Sequence, residues 1–408
     1  MTAVTETVFV ARQPVLDRVR RVHGYELLHR TGQENRDQGA DAVRDAMRII
    51  ADVLNSIAFR ALVGNRRAFI PMTYGTLVHE YYRALPIENT VLELLETVDP
   101  SDDVVAACRS LKRAGYQLAL DDFNYHEGYE PLLEIADVVK VDFLATEYWE
   151  RKSLADLLSK RNVRLLAEKV ETHQQFREAV ELGYSYFQGF FFCQPQIVRG
   201  REISSYKRNY VMLLQQVNEP RLDFKDLADV IRRDVALSCK LLKYLNSVPF
   251  AFRHKITSVK QALVMLGENA IRRWVGLTAL SFLCEDKPSE LVLLSMVRAY
   301  LCEELAADAG LDGRELDLFM MGLASALDAM VDMPRDELLI QLPLARDAKI
   351  ALRGGRNRPG QVLALALALE AGRWGEVDDL IGQLHLTRQQ VSASLEKANA
   401  WAGAICGA

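Results

Sequence analysis

Acidic side chains stand at the ends of several apolar runs in the first half of the sequence. Glu93 interrupts "VLELLE", Asp121 and Asp122 end "YQLALDD", and Glu168 ends "VRLLAE". Burying a charge is costly unless the charge is paired or binds a metal ion. Carboxylate oxygens are hard ligands that suit Mg²⁺, Mn²⁺ or Ca²⁺. If these runs lie side by side, they predict a carboxylate cluster that holds a divalent cation or pairs with lysine. Adjacent residues of a regular strand point apart, so both aspartates reach one site only if the strand turns at Asp122.

Other polar residues follow the same pattern. Glu26 lies in "GYELLHR", Gln188 lies in "YFQGF", and "DVVKVD" carries Lys140 and Asp142 two positions apart, on one face of a strand. A single acidic residue at a strand end is commonplace, because it can cap the helix that follows. Repetition on five strands instead favours a shared site. In such a site the lysine would orient a metal-bound water or meet a phosphate.

The elements that must position these residues alternate between strands and helices up to about residue 200. The strand-like runs are "TVFVAR", "VHGYELLHR", "RRAFIPM", "TVLELLE", "YQLALDD", "DVVKVD", "VRLLAEKV" and "YSYFQGFFF". Eight such runs in about 200 residues predict a small (β/α)8-type barrel, in which functional side chains lie at the C-terminal ends of the strands. Only "QPVLDRVRR" separates the first two runs. Because that is too short for a helical crossover, the first pair is predicted to be antiparallel.

The second half of the chain has helical periodicity and almost no strand pattern. "DFKDLADVIRRDVALSCKLLKYLNS" and "SVKQALVMLGENAIRRWVGLTALSFL" place apolar residues three and four positions apart. We therefore predict a barrel domain over residues 1–203 and an all-α domain over residues 204–408. Between them there is no Gly/Ser-rich or Pro-rich spacer of the flexible kind.

Composition sets limits on function. Half of the 408 residues are apolar and the formal net charge is −5, which argues against nucleic-acid binding through bulk charge. The six cysteines are scattered without a CxxC pair, which argues against a zinc site or a disulfide framework. The N-terminus lacks the pattern of a signal peptide, and no apolar run is long enough to span a membrane. These features predict a cytoplasmic protein that makes no use of a membrane.

The motifs of the first half resemble those of the EAL domain, a bacterial phosphodiesterase fold that acts on cyclic di-GMP. "YELLHR" stands where that family has E-A-L-x-R, "LELLE" resembles L-E-[IL]-T-E, and "LDDF" resembles D-D-F-G. "KVD", "AEKVET", "QGFFFCQP" and the early "RQPVLD" correspond to four further elements of the family, in the same order. The resemblance covers about residues 8–200 and implies a cytoplasmic signalling role.

The resemblance implies a role for each matching residue. It implies catalytic roles for Glu26, Lys140 and Glu168, metal ligation by Glu26, Glu93, Asp121 and Asp122, and ligand binding by Gln13, Leu28, Arg30, Asp122 and Gln188. It also implies Mg²⁺ or Mn²⁺ as the cofactor and cyclic di-GMP as the ligand.

Several positions depart from the EAL pattern, among them Leu95 of "LELLE", which stands where the family has a threonine. Pro71 stands in "AFIPM", where an active EAL barrel has an asparagine metal ligand, and it offers no side-chain oxygen. Asn124 replaces the glycine after D-D-F, and Lys169 replaces the glycine of A-E-G-V-E, which adds a cation next to Glu168. Losing a supporting group around a metal ligand typically costs about 10–100-fold in affinity or activity, and losing a ligand should cost at least as much. We therefore expect weak metal binding and slow or absent hydrolysis.

The second half resembles the HDOD domain, a helical relative of metal phosphohydrolases that typically lacks their His-Asp ligands. "IRRDVALSCKLLKYLNS" and "ITSVKQALVMLGENAIRRW" carry this resemblance over about residues 205–390. "FMMGLASALDAM" contains Asp328 but no histidine. The basic tracts "RRW" and "RGGRNR" are better explained as solvated helix ends and a loop than as a nucleic-acid site. The resemblance implies a surface for a protein partner, and a homodimer is compatible with it.

Three functions remain open at this level. The chain is a cyclic di-GMP receptor or adaptor with a degenerate barrel, a working phosphodiesterase that produces linear pGpG with a metal-activated water, or an interaction scaffold that binds no nucleotide. Pro71 favours the first over the second. Retention of Arg30, Asp121, Lys140 and Gln188 argues against the third.

Overall fold

The computed structural model describes residues 9–30, 63–196, 205–219, 222–233, 237, 241, 263 and 265–406. Eight strands close into a barrel in sequence order, which confirms the predicted fold class. The strands are β1 (Phe9–Asp17), β2 (Val22–Arg30), β3 (Arg67–Met72), β4 (Thr90–Leu94), β5 (Gln117–Leu120), β6 (Val138–Asp142), β7 (Arg164–Glu168) and β8 (Tyr186–Gln188).

The first strand runs against both of its neighbours. β1 pairs antiparallel with β2 and with β8, whereas every other neighbouring pair is parallel. The antiparallel first pair is therefore confirmed, and its cause is the short connection that closes between Asp17 and Val22. β2 pairs with β3 only as far as Glu26 opposite Phe69, while β1 and β2 stay paired out to Phe9 opposite Arg30. The outer part of this hairpin thus continues beyond the point where β2 leaves β3.

Helices follow most strands of the barrel, as the alternation predicts. They are α1 (Tyr74–Val78), α2 (Asp102–Arg113), α3 (Glu130–Leu133), α4 (Tyr148–Leu158) and α5 (His173–Glu181). α2 carries acidic residues in its first turn and basic residues in its last turn, which suits the helix dipole. α5 begins with a capping box. The Thr172 hydroxyl accepts a hydrogen bond from the Gln175 backbone N–H, and the Gln175 side chain accepts one from the Thr172 backbone N–H.

The barrel interior is filled by one residue from most strands. The layer consists of Val15, Phe69, Val91, Ala119, Val138, Leu166 and Tyr186, all of which are buried. Side chains alternate between the two faces of a strand, so the residue two positions further along also points inward. This alternation decides which polar residues meet at the C-terminal mouth of the barrel.

Only helices are described in the second half, as predicted. They are α6 (Ser205–Asn218), α7 (Phe224–Arg233), α8 (Glu268–Leu283), α9 (Ser289–Glu304), α10 (Glu315–Ala324), α11 (Leu327–Val331), α12 (Arg335–Gln341), α13 (Arg346–Leu352), α14 (Arg358–Glu370), α15 (Trp374–Leu384) and α16 (Arg388–Cys406). Among the described helices, none has the length and apolar character needed to cross a membrane.

The chain divides into two compact units. The first extends to Gln194 and also contains Leu367–Ile381 and the helix α16, whereas the second extends from Pro195 to Ala366 and contains Gly382–Leu386. The predicted division into 1–203 and 204–408 stays a prediction at the level of domains. What the contacts add is that the last part of the chain groups with the barrel, which the sequence pattern did not indicate.

Candidate functional site

The polar residues at the barrel mouth come from the same strand faces as the apolar interior layer. Two positions after a member of that layer stand Pro71, Glu93, Asp121, Lys140, Glu168 and Gln188. Glu26 joins them from β2, where it lies opposite Phe69. The sequence reasoning expected these residues at strand ends, and the period-two alternation brings their side chains into one layer above the apolar one.

Lys140 lies at the centre of this layer. Its Nζ is 2.7 Å from Asp121 Oδ1, 2.8 Å from Glu93 Oε1 and 2.8 Å from Glu168 Oε1. A fourth carboxylate oxygen, Glu26 Oε2, lies 3.3 Å away. The Lys140 side chain is only 1% exposed, and Glu93 is fully buried. We call Glu26, Glu93, Asp121, Lys140 and Glu168 the inner cluster.

The inner cluster holds four carboxylates against one ammonium group, and burial shifts its proton equilibria. Burial, reinforced by the neighbouring Glu26, raises the pKa of Glu93 well above its usual value. Burial likewise raises the pKa of Glu168 to about 8. For Lys140, burial alone would lower the pKa, but the four carboxylates outweigh it and hold the pKa well above its usual value. Lys140 therefore stays charged, while Glu93 and Glu168 keep their protons to a higher pH than an ordinary carboxyl group does.

Gln188 positions Glu26. Its Nε2 donates to Glu26 Oε2 at 2.6 Å and to Gln13 Oε1 at 2.9 Å. The next residue, Gly189, has φ +136°, and a Cβ there would lie 2.5 Å from the backbone nitrogen of Val170. Only glycine permits this close approach of β8 to the turn after β7. Of the predicted binding residues, Gln188 therefore contacts the inner cluster directly at Glu26, and Gln13 is connected to it through Gln188.

Pro71 faces the same layer without contributing a ligand atom. It lies opposite Glu93 in the β3–β4 pairing and two positions after the interior residue Phe69. Proline has no N–H to donate, and the pairing of β3 with β2 ends at Phe69, before Pro71 is reached. The position beside Glu93 therefore presents a pyrrolidine ring, whereas the resemblance to EAL domains implies the amide oxygen of an asparagine there.

Asp122 turns away from the inner cluster. The chain turns at Asp122, which has φ +39°. Such a turn was the condition for both aspartates to reach one site. The turn does not bring Asp122 to Lys140, however. Its Oδ1 lies 3.8 Å from Lys169 Nζ, and Lys169 also forms an ion pair with Asp142. Asp142 was placed on the face of Lys140 by alternation, but it is the last residue of β6 and its carboxylate pairs with Lys169. We call Asp122, Asp142 and Lys169 the outer rim.

Two further predicted binding residues lie on the β1–β2 hairpin. The side chain of Arg30 lies outside what the structure describes, so its role in ligand binding stays a prediction. Leu28 contacts the C-terminal segment that groups with the barrel: Gly372 has φ +65°, and a Cβ there would lie 2.8 Å from Leu28 Cδ1. Sequence reasoning missed Gly372 because the contact joins residues far apart in the chain. The only local signal is a glycine in "LEAGRW".

The oxygen donors of the inner cluster suit a hard divalent cation. Two buried oxygen atoms, Glu93 Oε2 and Gln188 Oε1, have no hydrogen-bond partner among the described residues. A buried polar atom without a partner is costly and calls for an ion or a water molecule. As placed, the Lys140 amine lies between the carboxylates, and the described part of the chain has no group of three or more His, Cys, Asp or Glu residues arranged to hold a metal ion. The chemistry fits a cation that competes with Lys140.

In the helical unit, the segment "FMMGLASALDAM" carries Asp328, the acidic residue considered above in connection with the His-Asp ligands. Asp328 is buried, and its Oδ2 accepts hydrogen bonds from Arg335 at 2.8 Å and 3.0 Å. Burial raises the pKa of Asp328. With no histidine in its segment and its carboxylate held by an arginine, Asp328 has the surroundings of a structural residue.

One arginine from each basic tract of this unit binds backbone carbonyls near helix ends. Arg272 donates to the carbonyls of Val217 and Glu219, at the end of α6. Arg358 donates to the carbonyls of Ala309, Gln383 and Leu384 at 2.8–3.0 Å. The last carbonyls of a helix lack partners within the helix, so these arginines satisfy them. Guanidinium groups used in this way are poor candidates for phosphate binding.

The closed barrel, the carboxylates at its mouth and the helical unit together define a protein with an EAL barrel and an HDOD region. Family models match accordingly, the EAL domain over residues 73–195 and the HDOD domain over residues 203–329. The cyclic di-GMP phosphodiesterase CdgJ of Vibrio cholerae is 35% identical over 97% of this chain and 92% of its own length. YuxH of Bacillus subtilis is 32% identical over 92% of this chain and 94% of its own length. The chain belongs to this family of EAL–HDOD proteins.

Solved structures of EAL domain proteins are similar to just under half of this chain. An EAL domain protein from Listeria monocytogenes is 20% identical, with a TM-score of 0.37, over 46% of this chain and 87% of that one. The match of the EAL family model begins at residue 73, after Glu26 and Pro71. The first three strands, which carry those two residues, thus lie outside the matched range.

Proposed function

We propose that this chain binds cyclic di-GMP at the C-terminal mouth of the barrel, hydrolyses it slowly or not at all, and acts as a receptor or adaptor in cyclic di-GMP signalling. Support for the ligand comes from CdgJ, which is a cyclic di-GMP phosphodiesterase by name and aligns with nearly the whole chain. In this proposal the HDOD region provides the surface for a protein partner.

Pro71 is the observation that carries the proposal. It faces the layer of the inner cluster beside Glu93 and supplies no oxygen. Removing a ligand from a metal site costs at least as much as removing a supporting group, for which about 10–100-fold is typical. Glu26, Gln188 and Gln13 keep their connected hydrogen bonds. The mouth therefore keeps groups that bind a ligand while it loses part of what activates water.

A divalent cation at this mouth would be held by Glu26, Glu93 and Asp121. When bound, Mg²⁺ or Mn²⁺ supplies a water of lowered pKa and polarises a phosphate oxygen. The residues of the chain set its affinity: Lys140 already neutralises one of the four carboxylates, and Pro71 offers no further ligand. Metal affinity should therefore be weak and should rise with pH as Glu93 and Glu168 lose their protons.

An active phosphodiesterase is the second candidate. The retained inner cluster favours it, because the carboxylates converge around Lys140 within 3.3 Å. The two candidates differ in the rate of pGpG formation, and they share the expectation that cyclic di-GMP binds. A scaffold that binds no nucleotide differs from both.

Calorimetry on the full chain with cyclic di-GMP, with and without Mn²⁺, tests the proposal together with chromatographic detection of pGpG. Wild type should bind the nucleotide and form pGpG slowly. Pro71→Asn should raise the rate of pGpG formation by at least about 10-fold, since it restores an oxygen ligand. Asp121→Asn should remove the gain when it is combined with Pro71→Asn.

Each other outcome selects an alternative. Rapid pGpG formation by wild type would make the chain an enzyme and the proposal wrong. Absence of nucleotide binding by wild type and by Pro71→Asn, under every metal condition, would leave the scaffold.

A further inference from the structure

The outer rim contains a lysine in a backbone conformation that usually selects glycine. Lys169 follows the last residue of β7 and has φ +52°. Asp122, which follows β5, has φ +39°. Side chains on this left-handed backbone are uncommon, and clusters of them are typical of functional positions. Here the two turns direct an ammonium group and a carboxylate toward each other.

The acidic partners of Lys169 are fixed from several directions. The Asp142 carboxylate accepts the backbone N–H groups of Leu144 at 2.6 Å and Ala145 at 3.0 Å through Oδ1, and it accepts Lys169 through Oδ2. These hydrogen bonds outweigh the effect of burial and lower the pKa of Asp142. The anion therefore persists at neutral pH, and its second oxygen is aimed at the lysine.

Within the described part of the chain, Lys169 is the cation that pairs with Asp122. The Oδ1 atom of Asp122 is buried without a hydrogen-bond partner among the described residues, and the ammonium group 3.8 Å away is its ion-pair partner. Asp121, Asp142 and Glu96 add negative charge around it. A group in this position favours any cation that can approach, and Lys169 supplies one from within the chain.

We propose that Lys169 is the built-in cation of the outer rim. Its ammonium group forms ion pairs with both Asp122 and Asp142, so a divalent ion could bind these two carboxylates only by displacing it, and Lys169 keeps such an ion out of the outer rim. The inner cluster and the outer rim then respond differently to metal. In the inner cluster a metal ion competes with Lys140 for the carboxylates, whereas in the outer rim Lys169 is itself the cation. The inference depends on this geometry and not on nucleotide binding.

Manganese alone tests the inference on the full chain. The number of bound Mn²⁺ ions is measured by calorimetry and by electron paramagnetic resonance for wild type and for Lys169→Gly. Glycine accepts the positive φ without strain, so this variant removes the ammonium group without opposing the local backbone. Lys169→Gly should bind one more Mn²⁺ ion than wild type, and Mn²⁺ should raise its melting temperature more.

Matched variants separate the ion site from general effects. Lys169→Met removes the charge but keeps the aliphatic stem, and it should show the same gain. Lys169→Gly combined with Asp122→Asn should return to the wild-type number of ions. Lys152→Gly changes an exposed lysine on α4 and should leave that number unchanged. Equal stoichiometry and affinity in wild type, Lys169→Gly and Lys169→Met would overturn the inference.

Discussion

Two lysines at the barrel mouth differ in how they meet their carboxylates. Lys140 is 1% exposed and lies within 3.3 Å of four acidic side chains. Lys169 is 51% exposed and pairs with two, one of them at 3.8 Å. The first is an interior strand residue that alternation directs into the barrel, whereas the second sits in a turn with positive φ. The same ion-pair chemistry therefore occurs in a buried and in a solvent-exposed environment, on the neighbouring strands β6 and β7.

The difference determines what each lysine contributes. Water screens an exposed ion pair, so such a pair stabilises a protein by about 0–1 kcal/mol. A buried pair gains little net stability over apolar residues, but removing one partner leaves an uncompensated charge and costs about 3–5 kcal/mol. We therefore expect Lys140 to govern the stability of the barrel and Lys169 to govern which ions approach its rim.

The largest expected effect comes from Lys140→Met. Four carboxylates would remain in a buried layer without their counter-ion, so the free energy of opening of the barrel strands should fall by about 3–5 kcal/mol at pH 7.5. Hydrogen exchange on peptides from β4 and β6 in the presence of EDTA measures this quantity for the barrel alone. That choice avoids treating a chain of two units as a two-state system.

Lys152→Met on α4 is the control for this measurement, because Lys152 is exposed. It should change the opening free energy by less than about 0.5 kcal/mol, as is usual for surface substitutions. A loss below about 1 kcal/mol in Lys140→Met would show that the carboxylates do not depend on the lysine, and the contrast between the two lysines would fail.

The next effect is the pH dependence of barrel stability. In the folded chain Glu168 keeps its proton up to a pKa of about 8, against an ordinary value of 4.5. The folded state then binds more protons than the unfolded state between these values, so stability falls as pH rises through that window. Glu93 acts in the same direction. Burial, helped by Arg67, lowers the pKa of His23 to about 4, which has the opposite effect below pH 6.5.

The useful range is therefore about pH 7.5 to 8.5, at least one pH unit above the ordinary histidine pKa of 6.5, where His23 no longer titrates in either state. The opening free energy of the barrel strands should fall over this range in wild type, and it should fall less steeply in Glu168→Gln. Asp156→Asn on α4 removes an exposed carboxylate and should keep the wild-type slope. A flat or rising profile in wild type would mean that Glu168 is ionised well below pH 8.

The inner cluster could be predicted from the sequence because two simple periodicities fix it. Eight β-rich runs predict the barrel, and alternation along each run predicts that Glu93, Lys140 and Glu168 point inward at the same end. The antiparallel first pair followed from the length of a single connection. Each of these predictions depends only on residues that are neighbours along the chain.

The outer rim could not be predicted in the same way. Residue type gives little warning of a positive φ at Asp122 or Lys169, because glycine is the usual signal for it. Alternation along β6 predicted that Asp142 would share the face of Lys140. In the structure Asp142 is the last residue of β6, and its carboxylate pairs with Lys169 instead. The contact of Gly372 with Leu28 has a different cause, since packing between distant segments leaves no local pattern.

The smallest expected effect comes from Lys169→Met, and it completes the contrast. Removing a half-exposed ammonium group should lower the opening free energy of β6 and β7 by less than about 1 kcal/mol.

The ion pair is accessible to solvent, and the Debye length falls from about 10 Å at 0.1 M salt to about 3 Å at 1 M. The difference between wild type and Lys169→Met should therefore shrink further in 1 M NaCl. The difference between wild type and Lys140→Met should persist there, because salt does not enter the buried layer. Hydrogen exchange at the two salt concentrations measures both differences on the same peptides. Equal salt sensitivity of the two variants would show that the two lysines share one environment and that the inner cluster is open to solvent.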